Sequence, residues 1–292
     1  MSKKLLNYLI FLIIPLIFVG IFTIYPVFAS VVYSFYIGTG FGLDNYVKVI
    51  TDTNPLRALV LPTLGETPPW GALIHNAVWI TIHVPLVTIL GLVLAYLLKY
   101  YVVGSNIIKG IVFVGMVIPP AIAGVIIRFM FDKDIGIVPM IFSALGVKEL
   151  AVTWISYPQL ALYALILGSV WIWLGFAVTV FSAAIEAIPK SHIDAARVFG
   201  ASAWHIFRKV VVPEVRPAII IVVVMTVLWD MKIFDVVFAS TGGGPGGATN
   251  VLALVMYNYF ARLLDYFRAA AVAVILTVLV VPFVVIAIRR WL

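Results

Sequence analysis

From residue 5 to residue 36 the chain carries no charged side chain, and stretches almost as apolar recur along its length. A bilayer core takes about 20 apolar residues as a helix, and it holds no water to satisfy bare backbone groups. Runs of this length therefore leave few alternatives to helices that cross a membrane. Six spans are expected, at about 5–36, 74–98, 107–130, 160–185, 218–240 and 269–288. Composition agrees, with 64% hydrophobic and 11% charged residues, where soluble domains hold about half and about a quarter. The first run follows Lys3 and Lys4 as a signal peptide would, but it is too long for one and holds Pro15 and Pro26. It reads as an uncleaved helix. The absence of cysteine removes disulfide frameworks and thiolate chemistry. No linker separates a second domain, so residues 1–292 form one all-α polytopic domain.

Basic residues set the expected orientation. Lys3, Lys4, Lys99, Lys109, Lys190, Arg197, Arg208, Lys209, Arg216, Arg289 and Arg290 fall in one set of segments. Lys48, Arg57, Arg128, Lys133, Lys148, Lys232, Arg262 and Arg268 fall in the other, eleven against eight. The richer side is read as the cytoplasm, with both termini there. The net charge of +7 then faces the inner leaflet and cytoplasmic partners rather than nucleic acid.

The longest loop on that side, residues 188–217, is punctuated for two short helices. Pro189 ends the fourth span, Ser191 is placed to cap a helix, and Ile193, Ala196 and Gly200 follow at helical spacing. Gly200 suits a helix end. Ser202 can cap a second helix, on which Ala203, Phe207 and Val210 share a face, and Pro213 and Pro217 bracket the return to the membrane. By pattern alone this is equally an interfacial hairpin that anchors the protein.

The fifth span is interrupted by Asp230, Lys232 and Asp235. Lys232 and Asp235 could pair at i, i+3. Asp230 has no cation three or four residues away, which favours a place facing a cavity. Next comes the glycine-rich run 241–250, which lacks the Gly-Lys-Ser/Thr ending of a phosphate-binding loop and reads as a flexible external turn. His75 and His83 lie in a span with no third ligand near, so packing roles are preferred to a metal.

Two motifs in this order resemble the permease subunits of ABC importers. Asp194-Ala195-Ala196, three residues, Gly200, nine residues and Val210-Val211-Val212-Pro213 is similar to the EAA motif, with Asp194 for its leading Glu and Phe199 where sugar permeases usually carry Asp. Phe234-Asp235, Thr241, Gly243-Gly244-Pro245, Thr249 and Tyr257 resemble the signature of the maltose and glycerol-phosphate permease group, which implies a short amphipathic external helix over 251–267. The resemblance implies a type I importer permease fold in the cell membrane. It implies an ATPase-coupling loop at Asp194, Ala195, Ala196, Phe199, Gly200 and Trp204. It also implies a substrate path along Ser169, Trp173 and Phe176 on the fourth span and Thr226, Trp229, Asp230 and Ile233 on the fifth. The implied role is a non-catalytic subunit importing a sugar with a second permease, two ATPase subunits and an external substrate-binding protein. ATP and Mg would then belong to those partners, and this chain would need no cofactor. A self-sufficient secondary transporter or channel is the competing class, and an intramembrane enzyme a third.

Overall fold

A computed structural model describes residues 3–51 and 69–291. The expectations for Arg57 and for most of the first external loop lie outside these residues. The helices, in chain order, are α1 Lys3–Val19, α2 Tyr25–Phe35, α3 Asp44–Thr51, α4 Ala72–Tyr100, α5 Ser105–Val117, α6 Pro120–Met130, α7 Ile137–Ala144, α8 Pro158–Glu186, α9 Lys190–Val198, α10 Ala203–Ile206, α11 Val212–Glu214, α12 Arg216–Met231, α13 Asp235–Ser240, α14 Leu252–Tyr257 and α15 Tyr266–Trp291. The one β feature among the described residues is an isolated bridge between Tyr36 and Phe41. Four helical stretches are long and apolar enough to cross a membrane, and up to six if each of two bent helix pairs is one span.

Prolines stand at two of the breaks between helices. α1 runs into α2 through a π turn, Gly20–Ile24, just before Pro26. Pro26 has no N–H to continue the ladder, and the turn closes through Tyr25 N–H to the Gly20 carbonyl. The expected third span, 107–130, is not one rod: α5 and α6 meet at 105°. Ile118 precedes Pro119 and is driven to an extended conformation, φ −68° and ψ 129°. The fifth span likewise ends early, at Met231, and resumes as α13 after residues 232–234.

α4 and α8, 29 residues each, are about 43 Å long at the helical rise and form the centre of the bundle. They approach closely at Gly91, where an added Cβ would stand 2.5 Å from Ala177 Cβ. Small residues let apolar helices pack by contact where lipid offers no hydrophobic drive. The two broken ends pack on each other in the same way, since a Cβ on Gly124 of α6 would stand 2.7 Å from the Val236 carbonyl of α13. By contrast the first span exposes Phe11, Phe18, Phe22 and Phe28, a surface suited to lipid or another membrane subunit.

The glycine-rich run is folded in rather than loose, which corrects the expectation of a flexible external turn. Ala248, Thr249 and Asn250 are buried. Thr241 and Thr249 hydroxyls lie 2.7 Å apart, and Thr249 Oγ1 donates to the Gly244 carbonyl at 2.8 Å. The segment after it is also not an external amphipathic helix over 251–267. α14 is six residues long and its first four are buried, and a π turn, Asn258–Arg262, follows.

Candidate functional site

The loop after α8 presents two opposite faces. α9 closes at Gly200, φ +75°: the Gly200 N–H bonds the Arg197 carbonyl at 2.9 Å and the Ala201 N–H bonds the Ala196 carbonyl at 3.0 Å. This paired closure requires a left-handed residue, which glycine supplies without a Cβ penalty. Ser202 then caps α10, accepting from the His205 N–H at 3.3 Å. Ser191 does not cap α9; Pro189 stands at that position, and Ser191 lies inside the first turn. The inner face of the loop, Ile193, Ile206, Phe207, Val211 and Val215, packs with Tyr96 of α4 and Phe181 and Ile185 of α8. Tyr96 Oη also donates to the Ala203 carbonyl at 3.2 Å.

The outer face is apolar and open. Phe199 is 89% exposed, Val198 85% and Trp204 66%. Asp194 and Ala195 are exposed beside them, Ala196 is half-buried, and Asp194 reaches Arg197 at 3.6 Å. Bare aromatic side chains on a charged loop have the chemistry of interface anchors. At the loop's base His192 Nδ1 and Glu214 Oε1 lie 2.9 Å apart.

Inside the bundle, three of the expected path residues meet. Trp173 and Trp229 stack with centroids 4.2 Å apart at 15°, and Phe176 meets Trp229 edge-on at 4.8 Å. The others do not all join them. Ile233 lies past the end of α12, so it does not continue the face of Thr226, Trp229 and Asp230; it packs in the cluster of Trp79, Trp154 and Val236. Ser169 and Thr226 are buried, but their hydroxyls donate to Ile166 and Val222 carbonyls in their own helices.

Asp230 does find a partner, which the sequence reading missed. His83 Nδ1 lies 2.9 Å from Asp230 Oδ2, with both side chains at 0% exposure. Asn76 Nδ2 donates to the Asp230 carbonyl at 3.1 Å, and Asn76 Oδ1 accepts from Leu252 N–H at 2.9 Å. The signal was present: a buried acid without a local cation needs a cross-helix partner, and His83 sits in an uncharged run at i+7 from Asn76. Lys232 and Asp235 form no ion pair with each other; the helix breaks between them and both are exposed. His75 tethers the glycine-rich run. Trp70 N–H donates to Nε2 at 3.1 Å, so Nδ1 carries the proton and donates to the Asn250 carbonyl at 2.7 Å. Among the described residues no three His, Asp or Glu side chains are grouped to hold a metal ion.

Comparison with known proteins places this arrangement. The family model described as binding-protein-dependent transport system inner membrane component matches residues 87–292. A Pyrococcus horikoshii protein named "Probable ABC transporter permease protein" is 52% identical over 260 residues, 88% of this chain and 89% of its own length. The alpha-glucoside transport system permease protein AglF of Rhizobium meliloti is 33% identical over 292 residues, 96% and 81% of the two chains. Among solved structures, a bacterial alginate ABC transporter in complex with an alginate pentasaccharide-bound periplasmic protein matches with a TM-score of 0.77 at 20% identity, over 98% of this chain and 93% of that one. The chain belongs to the binding-protein-dependent transport system inner membrane component family, has the fold of an importer permease and is an integral membrane protein.

Proposed function

We propose that this family member is the non-catalytic, membrane-spanning subunit of an ATP-driven importer that carries a sugar into the cell. ATP and Mg are bound by partner ATPase subunits, which grip the loop at residues 188–217. The observation that carries this reading is the two-faced loop: its inner face is buried against α4 and α8 while Phe199 and Trp204 stand bare on the other. Such a knob can pass a rigid-body movement of a partner to the helices behind it. The basic excess supports a cytoplasmic location for this loop and both termini. Sugar as cargo is supported by the aromatic platform of Trp173, Trp229 and Phe176, since apolar faces with a few placed polar groups suit a small ring. It is supported too by the transport system named for the 33% identical relative. The remaining partners are a second, different permease and an external solute-binding protein.

The test is affinity purification from the native membrane in mild detergent. The wild-type subunit should bring an ATPase and a second permease, and reconstituted vesicles should take up sugar only with ATP. Phe199→Ala with Trp204→Ala should lose the ATPase while the permease pair stays intact. Uptake by the chain alone, without ATP, would move the reading to a secondary transporter.

A further inference from the structure

Where α4 ends, two cavities of opposite character adjoin. One, of about 140 Å³, is walled by Tyr96, Tyr100, Tyr101 and Arg197 of α9. The other, of about 230 Å³, is a trough of Val93, Leu97, Trp204 and Phe207. Tyr96, Tyr101 and Ala203 line both, so the two meet. The Tyr96 ring is the partition, with centroids 5.0 Å from Tyr100, 5.9 Å from Tyr101 and 4.9 Å from Phe207.

The place is the edge of the membrane. α4 is apolar up to Leu98 and then reads Lys99-Tyr100-Tyr101, and aromatic and basic residues at the end of a span mark the boundary with water. The trough runs back from that boundary along α4: Val93 lies seven residues, about 10 Å, before Tyr100. Leu97 and Tyr101 are exposed within it.

The charge at its head is available. Arg197 meets Asp194 at 3.6 Å, with both side chains more than half exposed, and a surface pair of that kind holds weakly. Lys99 and Lys109 instead face Glu186, at 3.8 and 3.5 Å. A guanidinium fork suits phosphate oxygens, and tyrosine hydroxyls can donate beside it. A free phosphate would leave the trough empty. The positive choline of a zwitterionic lipid would stand beside the Arg197 charge. The pair of cavities fits a molecule with an anionic phosphate head and an apolar chain, and basic pockets at the ends of spans bind such headgroups.

We propose that this is a site for an anionic phospholipid from the leaflet beside the 188–217 loop. Its phosphate lies against Arg197 and the Tyr100 and Tyr101 hydroxyls, and one chain lies in the trough of Val93, Leu97 and Phe207. Tyr96 Oη already donates to the Ala203 carbonyl; the lipid adds a second tie between α4 and the loop beside that bond. The site requires only that the chain spans a membrane, whatever its cargo.

The test is photocrosslinking of the detergent-purified complex after reconstitution into phosphatidylcholine vesicles. These carry a trace of phosphatidylglycerol with a diazirine in its chain, and labelled peptides are mapped by mass spectrometry. Labelling should concentrate in residues 93–101 and 203–207, and unlabelled phosphatidylglycerol should displace it saturably. Arg197→Gln should weaken binding about ten- to a hundredfold, the range for losing a hydrogen bond to a charged group, and Arg197→Lys, which keeps the charge without the fork, should fall between. Ala203→Phe, which fills the junction of the two cavities, should abolish labelling of these segments. Labelling spread evenly over the lipid-exposed helices, equal labelling by a phosphatidylcholine probe, or unchanged labelling in Arg197→Gln would each overturn the proposal. Displacement of the probe by inorganic phosphate would overturn it too, and would assign the polar cavity to a soluble phosphate.

Discussion

His83→Leu should be among the most damaging single changes in the transmembrane bundle. It leaves the Asp230 carboxyl at 0% exposure with no partner at Oδ2 and no bulk water to replace the imidazole. Breaking a buried pair by deleting one partner costs about 3–5 kcal/mol, because the survivor keeps its desolvation penalty. At about 2–4 °C per kcal/mol for a large domain, the melting midpoint should fall by about 6–20 °C. The double change His83→Leu with Asp230→Leu removes the penalty together with the charge, and should recover most of the loss. The assay is thermal loss of the monodisperse gel-filtration peak of the detergent-solubilised complex, at one heating rate, since membrane complexes rarely unfold reversibly. A single variant that melts with the wild type would show that Asp230 is not held as a buried anion. A double variant as weak as the single would show that packing, rather than charge, governs the site.

Three further outcomes follow from the geometry. Asn76→Ala orphans the Leu252 N–H, while the Asp230 carbonyl keeps the Ile233 N–H; at about 1–3 kcal/mol for one unsatisfied group, it should destabilise by about 1–3 kcal/mol in the same melting assay. Gly200→Ala should cost about 1–2 kcal/mol from the left-handed backbone alone, with Gly200→Ser no worse than Ala, because nothing lies within 4 Å of an added Cβ; a much larger gap between the two in melting midpoint would mean that space is limiting. Glu186→Gln breaks contacts to Lys99 at 3.8 Å and Lys109 at 3.5 Å, all partly exposed, and should change stability by less than about 1 kcal/mol; a large, salt-insensitive drop would show that the carboxylate is shielded in the assembled membrane protein.

Local rules read from the sequence hold where one residue dictates the backbone. Gly200 ends α9 and Ser202 caps α10, because a left-handed closure and an orphan N–H each name the residue they need. They fail where two segments far apart in the chain meet. Pro119 was visible inside the expected third span, but that the chain would turn by 105° there depends on α6 having α13 to pack against. The glycine-rich run looked loose because glycine and proline give no packing signal of their own. It is held by His75, 175 residues away in sequence, and no periodicity reports such a bond. The expected face of Thr226, Trp229, Asp230 and Ile233 assumed that the helix continues; it stops at Met231, so helical spacing loses its meaning before Ile233. Exposure was the other unread quantity: Phe199 and Trp204 entered the loop's residue set by resemblance, whereas it is their being bare while Ile193 and Phe207 are buried that gives the loop two distinct faces.

One helix touches every part of this arrangement. α4 meets the glycine-rich run through His75, the end of α12 through Asn76 and His83, and the coupling loop through Tyr96. His83 and Tyr96 are thirteen residues apart, about 20 Å along the axis. Between them sits Pro85, which offers no N–H to the turn before it and so lowers the cost of bending there. A tilt imposed at the Tyr96 end is therefore not carried to the outer end undiminished. Some of it is absorbed at Pro85, just below the buried pair, while the outer segment stays pinned at His75 and Asn76. The geometry consequently puts the bend, with any strain from the tilt, beside the contact of His83 and Asp230, the one contact of the series that joins two titratable side chains. Replacing Pro85 with Ala would stiffen α4 and should spread that strain to the His75–Asn250 tether, read as faster amide exchange in the glycine-rich run when the proposed ATPase partners are locked by a nucleotide analogue. Unchanged exchange there would mean that α4 already moves as one rod.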